Sequence, residues 1–346
     1  MTSGDPHAGH VISSFRDMVR FLILAHFTMR VLVTGAQGCI GAWVVRGLLM
    51  RDLEVLIYDL DPHPARLSLI TDGSLRRRLS VTTGAIEDTS RVKALIREQG
   101  ITHVVHLAAV LMPYCQTNPV QGGLINVIGT LNVFEGARDA GRPVRIVYAS
   151  SSAVWGPEDS YENRKLNESD PVRPSTHYGV FKQANEGSAR AAYLANGISS
   201  VGLRPWTVYG VGRDAGLTAA PTTAMKNLVL GQPYQIPLGG FMDLQYVEDV
   251  AETFIRCLLA SLDGAHVFNL AGDVVHMEEI VASLERLRPG AAKLISAAGP
   301  QVPVAYRMDD AALRAAVPGI PKTSLADGMR QTIELYERLR NEGRLS

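Results

Sequence analysis

One stretch constrains this chain more than any other: Val31-Leu32-Val33-Thr34-Gly35-Ala36-Gln37-Gly38-Cys39-Ile40-Gly41, followed by an amphipathic pattern at Trp43, Val44 and Leu48. An apolar strand that passes through a glycine turn into a helix brings bare backbone close to a pyrophosphate. The ligand's charge then meets the free N–H groups and the positive dipole of the helix start. Gly35, Gly38 and Gly41 are the candidate contact points, with Cys39 and Ile40 in the same turn.

The next element sharpens this reading. Val55-Leu56-Ile57-Tyr58-Asp59 is a second apolar run ending in an acid about 20 residues beyond the glycines, where a carboxylate accepts from the adenosine ribose hydroxyls. A 2′-phosphate placed there meets repulsion from Asp59 and Asp61, so NAD is the expected cofactor and NADP is disfavoured. Arg66 lies several residues further on and reads as solvated surface.

Short apolar runs recur at Val31 to Thr34, Val55 to Tyr58, Leu79 to Thr82, Val104 to Leu107 and Val144 to Ala149, with helical patterns at 39–51, 90–99 and 122–140 between them. Runs apolar throughout suit strands covered on both faces, which predicts an α/β fold with a doubly wound parallel (Rossmann) sheet. Asp88 or Thr89 is the expected cap of the second helix. After Ser150 prolines punctuate a less regular chain, read as a smaller C-terminal substrate lobe. The expected organisation is an extension at 1–28, disordered or loosely docked, a cofactor-binding unit at 29–175, and sheet, helix and substrate-lobe elements interleaved over 176–346.

Composition narrows the partners. Lys plus Arg and Asp plus Glu are both 34, so no net field recruits nucleic acid or an acidic membrane. No window supplies the roughly 20 apolar residues of a membrane span. Cys39, Cys115 and Cys257 form no CxxC pair, which argues for a reducing, cytoplasmic setting. The histidines show no metal spacing, and no metal is expected.

Tyr178 and Lys182 are four residues apart and share one helix face. A tyrosine, whose phenol ordinarily titrates near a pH of about 10, is a poor base near neutrality. Lys182 and a bound nicotinamide ring are expected to favour its phenolate, which takes a substrate hydroxyl proton. Upstream, Ile146-Val147-Tyr148-Ala149 delivers Ser150-Ser151-Ser152 at a strand's C-terminal edge, where open α/β sheets bind ligands. Ser151 is the candidate donor to the substrate oxygen.

Together these residues resemble the extended short-chain dehydrogenase/reductase superfamily of the NAD-dependent epimerase/dehydratase type, from Met29 to about Tyr336. The marks are TGAQGCIG at 34–41, Asp59, HLAA at 106–109, NVIGTLNV at 126–133, SSSAVWG at 150–156, YGVFK at 178–182 and LRPWTVYG at 203–210. The resemblance implies a catalytic Ser151, Tyr178 and Lys182. It also implies that Leu107, Ala108, Ala109 and Pro205 line the cofactor, that Asn126 holds the active-site helix through a polar contact, and that Lys182 also binds the nicotinamide ribose. Where an acid often contacts adenine this chain has Ala85, leaving Ile86 to pack on the ring. The helices near 122–140 and 178–196 resemble the superfamily's dimer-forming pair, so a homodimer is expected.

Departures bear on the substrate. Thr207 stands where nucleotide-sugar enzymes typically carry Asn, Met242 to Asp249 lacks their Arg, and no Arg lies between Ala297 and Pro303. A diphosphate without charge-assisted donors loses interactions of about 1.5–3 kcal/mol each. Ser152-Ala153 replaces the Asp-Glu pair of dehydratases. The expectation is oxidation, reduction or epimerisation of a small polyhydroxy substrate such as a sugar, sugar acid or hydroxy-acid derivative. Arg213 is the candidate carboxylate grip, with Ser152, Thr207, Gln245 and Tyr246 as lesser candidates. The leading reading is a dehydrogenase with dissociable NAD. The alternatives are a sugar or nucleotide-sugar epimerase with tightly bound NAD and a non-catalytic NAD sensor.

Overall fold

The structure is a computed structural model and describes residues 29–345, so the expectation for residues 1–28 lies outside the described residues. Seven parallel strands form the central sheet: β1 (Arg30–Thr34), β2 (Glu54–Asp59), β3 (Ser80–Thr83), β4 (His103–His106), β5 (Arg145–Ala149), β6 (Ser200–Arg204) and, later in the chain, Ala265–Asn269. Between those last two come β7 (Thr207–Tyr209), β8 (Tyr234–Ile236) and β9 (Phe241–Tyr246), so Ala265–Asn269 is β10. It is followed by β11 (Asp273–His276) and β12 (Ile295–Ala297). The order across the sheet is β10-β6-β5-β4-β1-β2-β3. The chain therefore leaves β1 in one direction and resumes on its other side at β4. That reversal opens a crevice beyond the C-terminal ends of β1 and β4.

Alternate strand residues feed two cores. Val31, Val33, Val105 and Val147 pack on the face covered by helices Cys39–Leu49 and Val247–Leu259. Leu32, Val104, Ile146 and Tyr148 pack on the face covered by Thr89–Glu98 and Gly129–Arg138. This period of two, with both sets buried, is why β1, β4 and β5 read as unbroken apolar runs. The edge strand β3 is mostly exposed. Asp88 caps Thr89–Glu98 by accepting from the Arg91 N–H at 3.0 Å, and Thr89 begins the helix.

The helix expected over 122–140 is divided. Pro119–Gly123 and Gly129–Arg138 are α-helical, and the Leu124–Ile128 turn between them is a π-helix. Such a turn shifts the hydrogen-bonding register and frees backbone groups for other partners. Beyond β6 the chain builds a three-stranded sheet, β11-β9-β7, and a pair, β12-β8, before and after β10 returns to the main sheet. A third core of Val154, Trp155, Tyr161, Leu166, Ala305 and Met308 joins the segment after β5 to the late chain.

Candidate active site

The glycine turn is shaped by contacts that only glycine allows. Gly35 has φ +67°, and a Cβ there would lie 2.5 Å from the Ala108 nitrogen at the end of β4. At Gly41 a Cβ would lie 2.4 Å from the Gly35 carbonyl oxygen. Gly38 is the N-cap of Cys39–Leu49 and provides no side-chain cap, so the helix start keeps its backbone donors for a ligand. Asp59 is tied into the turn: Oδ2 accepts from Gln37 N at 2.9 Å and Oδ1 from Leu60 N at 2.7 Å. The Gln37 side-chain amide is buried beside this turn with neither polar atom partnered. A cradle closed to side chains, an uncapped helix start, a carboxylate at the end of β2 and an orphaned amide fit a dinucleotide. Leu107, Ala108 and Ala109 follow β4 and are half-buried along the crevice. Ile86 packs against Gly129, where a Cβ would come within 2.7 Å of it.

Arg66 departs from the solvated surface expected of it. Its guanidinium donates to the Gln37 carbonyl at 2.7 Å and pairs with Asp214, in the loop after β7, at 2.5 Å. The two residues are far apart in sequence, so local spacing carried no sign of the pair.

The candidate catalytic residues converge at the C-terminal edge of β5. Thr176 caps the helix His177–Asn196 by accepting from Gly179 N, which sets Tyr178 and Lys182 on the face turned to β5. A Cβ at Gly179 would lie 2.1 Å from the Ala153 carbonyl oxygen, so the helix and the serine loop touch backbone to backbone. Tyr178 and Ser151 line the same cavity wall, and the Ser151 oxygen accepts from Ala153 N at 3.1 Å. Lys182 is 4% exposed; its ammonium donates to the Ala149 carbonyl at 2.7 Å and lies 5.5 Å from the Tyr178 ring centroid.

Burial pushes the Tyr178 phenol above its ordinary value, opposed by the Ser151 hydrogen bond and then by the Arg213 charge. Arg213 thus joins Lys182, whose ammonium lies 5.5 Å from the ring centroid, as a cation near the phenol. Burial also pushes Lys182 down to about 8, with Cys115 and Glu186 opposing.

Asn126 holds the helix, though not through its side chain. That amide clamps the loop after β4, accepting from Val110 N at 2.9 Å and donating to Val110 O at 3.0 Å. The Asn126 carbonyl, in the π-turn, accepts from Asn185 of His177–Asn196 at 3.0 Å. One face of that helix also carries Glu186, which sequence reasoning missed. Its carboxylate pairs with Arg204 at 2.7 Å and accepts from Ser150 at 2.5 Å, while Arg204 lies 4.7 Å from the Trp155 ring centroid. The signal was available: Glu186 follows Lys182 by one helical turn, and Arg204 opens the LRPWTVYG segment's strand-end turn.

Next to Ser151 and Tyr178 lies a cavity of about 180 Å³. Its walls include Leu111, Met112, Pro113, Pro205, Trp206, Leu217, Val302, Pro303 and Val304, and among the described residues its single charged group is Arg213. Arg213 donates to Thr218 at 2.9 Å, and its buried Nε has no partner. Ser152 reaches the wall, but its hydroxyl is turned to the Arg204 carbonyl. Three candidates are not brought to the cavity. Thr207 is 0% exposed and donates to the Met242 sulfur; Gln245 is fully engaged by Trp206 N, Asp243 and the Leu270 carbonyl. Tyr246 packs on Tyr209 with ring centroids 5.7 Å apart. All three sit on β7 or β9 with their side chains in the lobe's interior, which the strand face decides. Of the segment between β5 and the helix His177–Asn196, Ser175 and Thr176 line the cavity. Leu166 is instead bridged to Met308, and Glu158 pairs with Arg307.

The model of the NAD dependent epimerase/dehydratase family matches residues 31–271. The chain is 29% identical over 287 residues to UDP-glucuronate 4-epimerase 2 of Arabidopsis thaliana, covering 74% of this chain and 63% of that relative's length. It is 28% identical over 261 residues to UDP-glucose 4-epimerase of Lactobacillus helveticus, covering 70% and 76%. Among solved structures, Thermus thermophilus UDP-glucose 4-epimerase in complex with NAD aligns with a TM-score of 0.74 at 27% identity, covering 89% of this chain and 99% of the other.

Proposed function

The chain belongs to the NAD dependent epimerase/dehydratase family and is an NAD-dependent enzyme of the extended short-chain dehydrogenase/reductase type; from that premise we propose that it oxidises or reduces a hydroxyl-bearing carbon of a small carbohydrate-like substrate, with Ser151, Tyr178 and Lys182 as its catalytic residues. The observation that carries this reading is that Ser151 and Tyr178 stand together on the wall of a small, mostly apolar cavity that Arg213 also lines. Ligand pockets commonly run about 300–1,000 Å³, so this one suits a compact substrate.

NAD would be held by Gly35, Gly38, Gly41 and Asp59 at one end and by Lys182 at the other, and when bound it supplies the acceptor for the substrate's hydride. Tyr178 Oη takes the hydroxyl proton, and Ser151 Oγ holds the same substrate oxygen. Lys182, anchored on the Ala149 carbonyl, keeps a positive charge beside the phenol ring. Arg213 performs two tasks: it favours the phenolate by its charge, and as a cation on the cavity wall it grips a substrate carboxylate. We propose further that two copies pair through the helices at 119–138 and 177–196, on which Val120, Leu124, Ile128 and Val180 are exposed. A monomer by light scattering at micromolar concentration overturns that pairing.

A second reading is favoured by the relatives, which are named as UDP-sugar epimerases: an epimerase that keeps its NAD throughout. The deciding experiment purifies the protein without added nucleotide, denatures it and quantifies the NAD(H) released per chain. Near-stoichiometric release supports the epimerase. Little release, with NADH formed from hydroxy acids or sugar acids, supports the dehydrogenase. Turnover of UDP-glucuronate alone overturns the small-substrate reading.

A further inference from the structure

Arg66 and Asp59 flank a single residue of the glycine turn. Gln37 N donates to the Asp59 carboxylate at 2.9 Å, and the Gln37 carbonyl accepts from Arg66 Nη1 at 2.7 Å. A guanidinium thus stands beside the carboxylate assigned to the adenosine ribose, in the position where a cation would meet a 2′-phosphate. It is not free to do so. Asp214 holds it side-on: Arg66 Nε lies 3.1 Å from Oδ1 and 3.0 Å from Oδ2, and Nη2 lies 2.5 Å from Oδ1. The loop that presents Asp214 has Gly210, Gly212 and Gly216 at positive φ, and a Cβ at Gly212 would touch the Arg66 stem at 3.7 Å. The same loop is pinned by the Trp43 indole, which donates to the Val211 carbonyl at 2.9 Å.

We propose that Asp214 is a specificity-determining residue for the cofactor: it occupies Arg66 and so denies a 2′-phosphate a cation beside Asp59. Discrimination then has two parts, repulsion from Asp59 and sequestration of Arg66, contributed by different loops. The proposal rests on the adenosine end of NAD lying at Asp59, and its test separates the two claims.

The probes are 5′-AMP and 2′,5′-ADP, titrated calorimetrically into the purified chain. A charge-assisted bond to phosphate predicts that Asp214→Asn raises the affinity ratio of 2′,5′-ADP over 5′-AMP by about tenfold. The gain is expected to vanish in the Arg66→Gln, Asp214→Asn double variant and to steepen at low salt. An unmoved ratio with 5′-AMP still bound overturns the proposal. So does a parallel loss of both ligands, which makes the pair a clasp for the loop and not a filter. A wild-type chain that binds no 5′-AMP overturns the adenosine-site assignment and the proposal with it.

Discussion

The candidate cofactor crevice and the candidate substrate cavity are built from different material. The crevice is made mainly of backbone from short neighbouring segments: the turn at 35–41, the end of β2 and the end of β4. Its requirements are steric, and they leave marks that spacing alone reveals, such as Gly35 and Gly41 pressed against Ala108 and Gly35 itself. The cavity is made of side chains from five separated stretches, at 111–113, 151–153, 175–178, 205–218 and 302–304. The difference teaches that a site defined by backbone approach tolerates few residue types, whereas one defined by side-chain walls accepts many.

The largest effect separates chemistry from binding within this contrast. Tyr178→Phe is expected to lower kcat by about 10²–10⁴-fold, the range for a lost general base, while NAD titration stays near wild type. Unchanged biological activity in that variant would instead favour an NAD sensor. Gly35→Ala attacks the other side. A Cβ at φ +67° and 2.5 Å from Ala108 N is expected to lower NAD affinity more than about tenfold. It should also cost about 1–3 kcal/mol of stability by chemical denaturation; retention of both would remove the backbone argument.

In the cavity, Arg213→Gln is expected to raise KM for a carboxylate substrate about tenfold or more. The sign of its pH effect follows from the same charge. Arg213 lowers the Tyr178 pKa, so its removal raises that pKa and moves the acid limb of the kcat/KM profile to higher pH. A KM change without that movement would separate the two tasks assigned to Arg213.

The smallest effect comes from a candidate that the fold turned away. Thr207→Val, at a buried position whose hydroxyl meets only the Met242 sulfur, is expected to leave kcat/KM within about threefold, typical of a site without substrate contact. A loss comparable to that of Arg213→Gln would return Thr207 to the cavity.

Legibility followed the same division. The sheet, the glycine turn, the place of Asp59 at the end of β2 and the pairing of Tyr178 with Lys182 on one helix face were readable because strand alternation, glycine geometry and helical spacing are local rules. Thr207, Gln245 and Tyr246 were misplaced because adjacency to a motif does not say which face of β7 or β9 a residue presents. Arg66 looked solvated because its partner, Asp214, arrives from a loop beyond β7. The interruption of the helix by a π-turn was invisible, since Leu124–Ile128 has ordinary helical composition.

What the sequence determined by itself was the doubly wound sheet, a glycine turn at its crevice and a tyrosine–lysine pair on one helix, because each depends on residues within a few positions of one another. Tertiary structure alone decided the rest: Arg213 as the single cation in an apolar cavity, Arg66 taken up by Asp214, and Glu186 bound to Arg204 beneath Ser150. Charges act over distances of a few ångströms in space regardless of separation along the chain. Their partners are therefore chosen by the fold, and no spacing rule records that choice.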